Sequence, residues 1–149
     1  MEAIELNKTQ KGVNFWLFGG LLVVLMISTM SRDITRPFYG LHSWASAHSA
    51  WVARVHCNYG LGYTKGLRTW AVGDPPTQNP ERYLDHPQLS TLLNAGVMKI
   101  LGVSEWSRRI ATVMTAAVSL LLLLKILHGL TDEKTALLAG LLYALFPLT

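Results

Sequence analysis

The sequence predicts an α-helical membrane protein: a first span, a long extracytoplasmic loop with two interfacial amphipathic helices, then an antiparallel pair of spans, the last one truncated. Three observations predict it. Half of the residues are apolar and only 15% are charged, a mix uncommon in a soluble domain of this length. Apolar runs near each end approach the length needed to cross ~30 Å of hydrocarbon. The region between those runs has helical periodicity in two places, yet neither is long or uniformly apolar enough to span.

The first run, Val13–Met30 (VNFWLFGGLLVVLMISTM), carries no charge. It is longer than the apolar core of a secretory signal, and no small-x-small cleavage site introduces a polar mature start, so an uncleaved anchor is expected. The preceding tail, 1–12, holds Lys8 and Lys11. The second run, Ile110–Leu127, has Lys125 close enough to its end to snorkel. A short connection with Lys134 leads into Ala136–Thr149, too short a run to cross on its own and therefore expected as an incomplete third span. If the first two runs span, both lysine-bearing flanks fall on one face, and the positive-inside rule assigns that face to the cytoplasm. The loop 31–109 is then extracytoplasmic, and too long for its own arginines to reverse the orientation.

Within the loop, Trp44, Ala47, Trp51, Val52 and Val55 recur at helical spacing, predicting a helix over about 42–57. Leu89, Leu92, Leu93, Val97, Ile100 and Leu101 do the same over about 87–101. Helices of this kind lie in the interface or pack on spanning helices, with tryptophan at headgroup depth. Asp85 followed by His86 and Pro87 reads as the cap and first turn of the second helix. The stretch between them is rich in glycine and proline, lacks a helical period and reads as an ordered or semi-ordered loop. Its aromatics argue against plain disorder.

Other classes find little support. The net charge of +4 is modest and not gathered into a basic stripe with interleaved aromatics, so no nucleic acid is expected as a partner. A single cysteine, Cys57, excludes an intrachain disulfide, and no Cys/His spacing matches a structural zinc site. No ionisable residue sits mid-span, where a transport site usually places one. His48 and His56 lie two helical turns apart, too far to chelate one metal directly, and together with His42 are expected to face solvent or headgroups. Asp33 beside Arg32 and Arg36 reads first as a juxtamembrane salt link, and Arg108 and Arg109, with Glu105 a turn earlier, as anchors.

Two stretches carry a family resemblance: RPFYGLHSWASAHSAWVARVHCNYGLGYTKG, and YLDHPQLSTLLNAGVMKILGVSEWSRRIATVMTAAVSLLLLLKIL. In order and spacing the chain resembles the N-terminal part of a GT-C type membrane glycosyltransferase, of the protein O-mannosyltransferase and aminoarabinose transferase group. The resemblance implies transfer of a sugar from a polyprenyl-phosphate donor to an extracytoplasmic acceptor. Such chemistry needs a carboxylate near the anomeric centre and cationic or divalent-metal help for the departing phosphate. The family places an acid ahead of the Ala-Arg pair, here Ala53-Arg54, but this chain has Ser43, Trp44 and Ala45 there. Three explanations stay open: Asp33 supplies the carboxylate, Asp85 has taken over, or activity is lost. Arg36, Tyr39, Arg54 and His86 are the candidate substrate contacts, Arg36 through bidentate phosphate binding. Relatives use many more spans to enclose a donor groove, so the chain is expected to be a fragment inactive alone, completed by partner helices in membrane lipid. The alternative is a small membrane-anchored binding or assembly subunit.

Overall fold

The computed structural model describes residues 2–38, 40, 43–70, 77–85 and 87–146, with side chains from Val13 onward. Its elements are α1 (Glu2–Met30), α2 (Ser43–Thr64), β1 (Arg68–Trp70), β2 (Glu81–Tyr83), α3 (Leu89–Leu101), α4 (Glu105–Leu130) and α5 (Glu133–Leu145). They divide into two compact units, 1–32 with 113–149, and 33–112.

The first unit is built from α1, the greater part of α4, and α5. Val13–Met30 and Glu105–Leu130 are both long and apolar enough to cross a membrane. α1 is apolar on several sides: Phe15 and Met26 are buried, while Val13, Leu17, Leu21 and Val24 lie exposed. That pattern suits lipid as the outer solvent. The core is Phe15, Met26, Leu120, Leu124, Ala136 and Ala144. Leu124 fills the space left by two glycines: a Cβ on Gly19 would come within 3.2 Å of it, and one on Gly140 within 2.7 Å. Small residues allow such backbone approach between apolar helices, where water drives nothing together. Phe15 stacks on His128 at 4.2 Å.

The helices run further than the apolar runs that announce them. α1 continues through the tail expected over 1–12, and α4 starts at Glu105 instead of Ile110. Ser104 and Ser107 explain the early start of α4: each side-chain oxygen accepts from the other's backbone N–H at 3.2 Å, a reciprocal cap. α5 begins at Glu133 because Asp132 accepts from the N–H groups of Lys134 and Thr135. With 13 residues it remains short of crossing.

The second unit holds α2, the β-ribbon and α3. α2 outruns its expected end at 57 by continuing to Thr64 across a break at Gly60, whose φ of 74° and ψ of 174° suit glycine. The Thr64 hydroxyl donates to the Gly60 carbonyl at 3.1 Å and bridges the break. The chain then leaves through Lys65 and Gly66, both with positive φ, into β1. β1 pairs antiparallel with β2, Thr69 opposite Arg82. Strands of three residues are too short to show alternation, so the glycine-rich stretch gave no strand signal. Its order comes from long-range bonds: Tyr63 donates to the Thr77 carbonyl (2.8 Å) and Arg82 to the Tyr63 carbonyl (3.0 Å).

α3 corrects the expectation for Asp85. The helix is capped at Gln88, whose carbonyl takes the Leu92 N–H at 2.9 Å and the Thr91 hydroxyl at 2.8 Å. Asp85 is exposed, three residues upstream of that cap, and Pro87 precedes the helix. α3 also turns an unexpected face inward. Thr91, Asn94, Ala95 and Met98 are buried, with Ala95 and Met98 packed on Ala53 of α2.

Candidate functional site

One polar constellation of the second unit lies just after α1. Residues 31–35 form turns. Within them the Asp33 carboxylate pairs with the Arg36 guanidinium at 2.9 Å, both side chains more than half exposed. This is the juxtamembrane salt link expected from the sequence. An exposed pair of this kind contributes little to stability. What holds the segment is Arg109, in the first turns of α4.

The Arg109 guanidinium donates to the carbonyls of Asp33 (2.8 Å), Ile34 (2.9 Å) and Arg36. All three bonds leave one terminal nitrogen, Nη1, whose two N–H groups are shared among the three oxygens. One turn earlier, Glu105 accepts the Phe38 N–H at 3.0 Å. The Phe38 ring lies 4.9 Å from the Arg109 guanidinium and 5.8 Å from that of Arg108. Glu105, Arg108 and Arg109 therefore clip residues 33–38 onto the start of α4. Arg109 is more than the anchor its position suggested. Its partners are main-chain oxygens, which any sequence provides, so only its spacing from Glu105 hinted at a shared face.

Of the other candidates, two fall within the described residues. Arg54 is exposed on α2, and Asp85 is exposed after β2. Neither makes an ion pair among the described residues. Tyr39 and His86 lie outside the described residues, as does His42. Among the described residues no group of three His, Cys, Asp or Glu side chains could hold a metal ion.

Of the histidines on α2, His56 departs from expectation. His56 is only 4% exposed, and its Nδ1 lies 2.9 Å from the Thr64 hydroxyl. That hydroxyl has one proton, which goes to the Gly60 carbonyl. With that proton on the Gly60 carbonyl, Nδ1 is the donor; in either tautomer the buried Nε2 has no partner among the described residues. Burial holds the His56 pKa below the ordinary histidine value. His48 stacks on Trp70 at 4.5 Å, and Trp51 meets the same indole edge-on. Burial, then the nearby Arg68 charge, lowers its pKa too. His56 is thus buried within the unit and is not the solvent-facing group expected, while His48 is half-buried against Trp70.

Residues 85–149 match the profile of the dolichyl-phosphate-mannose-protein mannosyltransferase family. No curated protein and no solved structure matches the chain. The matched part takes in α3, α4 and α5, including the capped turn at Ser104 and the clip residues Glu105, Arg108 and Arg109. With two helices able to cross a membrane, the chain is a glycosyltransferase-like membrane protein, similar from Asp85 to its last residue to the dolichyl-phosphate-mannose-protein mannosyltransferases.

Proposed function

We propose that the chain is the N-terminal part of a membrane glycosyltransferase that moves a sugar from a polyprenyl-phosphate donor to an acceptor on the extracytoplasmic side. The observation that carries this reading is the Asp33–Arg36 pair, clipped to α4 by Arg109 at the end of the first span, in a chain similar to that family. In this reading the pair is a resting state. Arg36 exchanges the Asp33 carboxylate for the two oxygens of the lipid phosphate. The freed carboxylate takes the acceptor proton as the bond from the anomeric carbon to phosphate oxygen breaks and the bond to the acceptor forms. Phosphate leaves on the lipid, its charge met by Arg36.

Asp85 is the competing carboxylate, and Tyr39, Arg54 and His86 are the further substrate contacts of this reading. A polyprenyl groove needs more spanning helices than the two candidates described here. The chain alone in proteoliposomes is therefore expected to give no turnover with radiolabelled polyprenyl-phosphate sugars. Robust turnover would remove the claim that other helices must complete the site.

The carboxylates are tested in the native membrane, with chain levels matched. Asp33→Asn is expected to lower transfer by about 100-fold or more, the scale of a lost proton acceptor. Asp85→Asn is expected to have a small effect. The reverse pattern moves the role to Asp85, and full activity in both variants ends the site assignment.

A further inference from the structure

We infer that Trp44, His48, Trp51 and Trp70, with Arg68 and Glu81 beside them, form a binding site for a pyranose saccharide. Only binding is meant, and it does not require the transfer reaction; none of the six residues belongs to the Asp33–Arg36 segment. Trp44, His48 and Trp51 fall at positions i, i+4 and i+7 of α2, which is one side of that helix. The side turned to α3 carries Ala53 and Cys57 instead. Trp70 reaches the aromatic side from β1. Its indole stacks on the His48 ring at 4.5 Å and meets Trp51 edge-on at 5.4 Å. Trp70 pairs with Glu81 and Arg68 with Tyr83, so Arg68, Trp70 and Glu81 share one face of the ribbon.

Packing accounts for the His48–Trp70 stack but not for what surrounds it. Trp44, one turn before His48, is 72% exposed and keeps an indole face open. Arg68 is half-buried, yet its side chain has no hydrogen bond or ion pair among the described residues, and its Nε is fully covered without a partner. Glu81, exposed across from Trp70, joins no ion pair among the described residues either. A half-buried guanidinium normally finds an acceptor, because desolvating it without one is costly. Two uncommitted groups of opposite charge thus flank an aromatic cluster.

That chemistry selects the occupant. A pyranose ring has a face of C–H groups that lies against an aromatic ring, and a rim of hydroxyls that both donate and accept. The open indole serves the first. Arg68 as donor and Glu81 as acceptor serve the second. An anion such as phosphate would be drawn by Arg68 and repelled by Glu81, whereas a neutral polyol uses both. An aliphatic chain would leave both without partners. His48 adds no charge of its own: burial, then the nearby Arg68, lowers its pKa and keeps the stacked ring neutral.

Saturation-transfer NMR on the whole chain in proteoliposomes, with methyl mannoside and methyl glucoside as probes, tests this. Transfer to the ring C–H protons of at least one glycoside is expected. Little is expected to mannitol, which has the hydroxyls but no ring face. Trp44→Ala changes an exposed side chain and should leave the fold intact while weakening binding about tenfold. Arg68→Gln should weaken it too, and Trp16→Phe, on α1, should not. No transfer to either glycoside overturns the inference, as does equal transfer to mannitol or unchanged binding in Trp44→Ala. The competing outcome is an indole that only sits among lipid headgroups. Lipids brominated near the headgroup would then quench the Trp44 emission, taken as the difference from Trp44→Phe, and neither glycoside would change it; that result also overturns the inference. Where a glycoside binds, vesicles carrying a monoglycosyl diacylglycerol distinguish the source. Displacement of the free glycoside assigns a lipid-borne sugar, and its retention a soluble one. Because binding alone is read, failure here is separate from loss of transfer in Asp33→Asn.

Discussion

The two units of this chain solve the same problem with different forces. In the unit of α1, α4 and α5, contact is made by shape: Leu124 enters a notch left by Gly19 and Gly140, with aliphatic and aromatic packing around it. In the unit of α2, the ribbon and α3, the interior is markedly polar, with His56, Thr64, Thr69, Thr91 and Asn94 buried. Hydrogen bonds hold it, and its most apolar helix face is turned outward. The difference shows what each unit can gain from burial. Between apolar helices in lipid the gain is dispersion and fit. In the second unit, polar groups withdrawn from solvent must find partners in the protein.

The sharpest way to break this comparison is at Arg109. Arg109→Ala removes a charged donor from three carbonyls and is expected to destabilise the 33–38 segment by about 3 kcal/mol. The readout is faster amide exchange in residues 33–38, with α5 unchanged; equal exchange in wild type and variant would show that the clip does not hold the segment. Arg109→Lys keeps the charge, loses the fork and should fall between the two.

Next comes Thr64→Val, which leaves the buried His56 Nδ1 without its partner and unties the Gly60 break. A loss of about 2 kcal/mol is expected, read as faster exchange across the second half of α2. A variant as stable as wild type would mean that the break is held by the backbone alone.

Gly140→Ala tests the other unit. Its methyl would sit 2.7 Å from Leu124 Cδ2, so the leucine must move, at a cost of about 1 kcal/mol. Exchange should rise in α5 and not in α2. If it rises in both, the units do not respond separately.

The mildest perturbation is pH. His56 has a folded pKa below its unfolded value of about 6.5, so in the acidic range the unfolded chain binds the extra proton. Its contribution is therefore fully present above that unfolded value and is lost as pH falls toward the depressed folded one. Mild acidification should speed exchange in α2, leave α5 alone, and have less effect in His56→Gln. No pH response in wild type would contradict the buried neutral imidazole.

The two long apolar helices were legible in the sequence because length and apolarity are visible in a window of residues. Their true ends were less so, since the early start of α4 depends on Ser104 and Ser107 exchanging bonds. α3 was legible as a periodic helix, yet its inward face was not, because periodicity identifies a stripe without saying what solvent meets it. The Asp33–Arg36 pair could be read from adjacency. The His56–Thr64 bond could not, as it joins residues eight apart across a glycine break. Nor could the role of Arg109, whose partners have no side-chain identity.

That last contact has a consequence for how the chain is made. Arg109 bonds the Asp33 carbonyl across 76 residues of sequence. In vectorial synthesis α1 and the Asp33–Arg36 pair emerge well before the side chain that holds them in place. The segment must therefore wait unfixed, through synthesis of the whole intervening stretch, until the opening turns of α4 arrive. The shape of this segment is a late event in biogenesis, completed only when the start of α4 has been made.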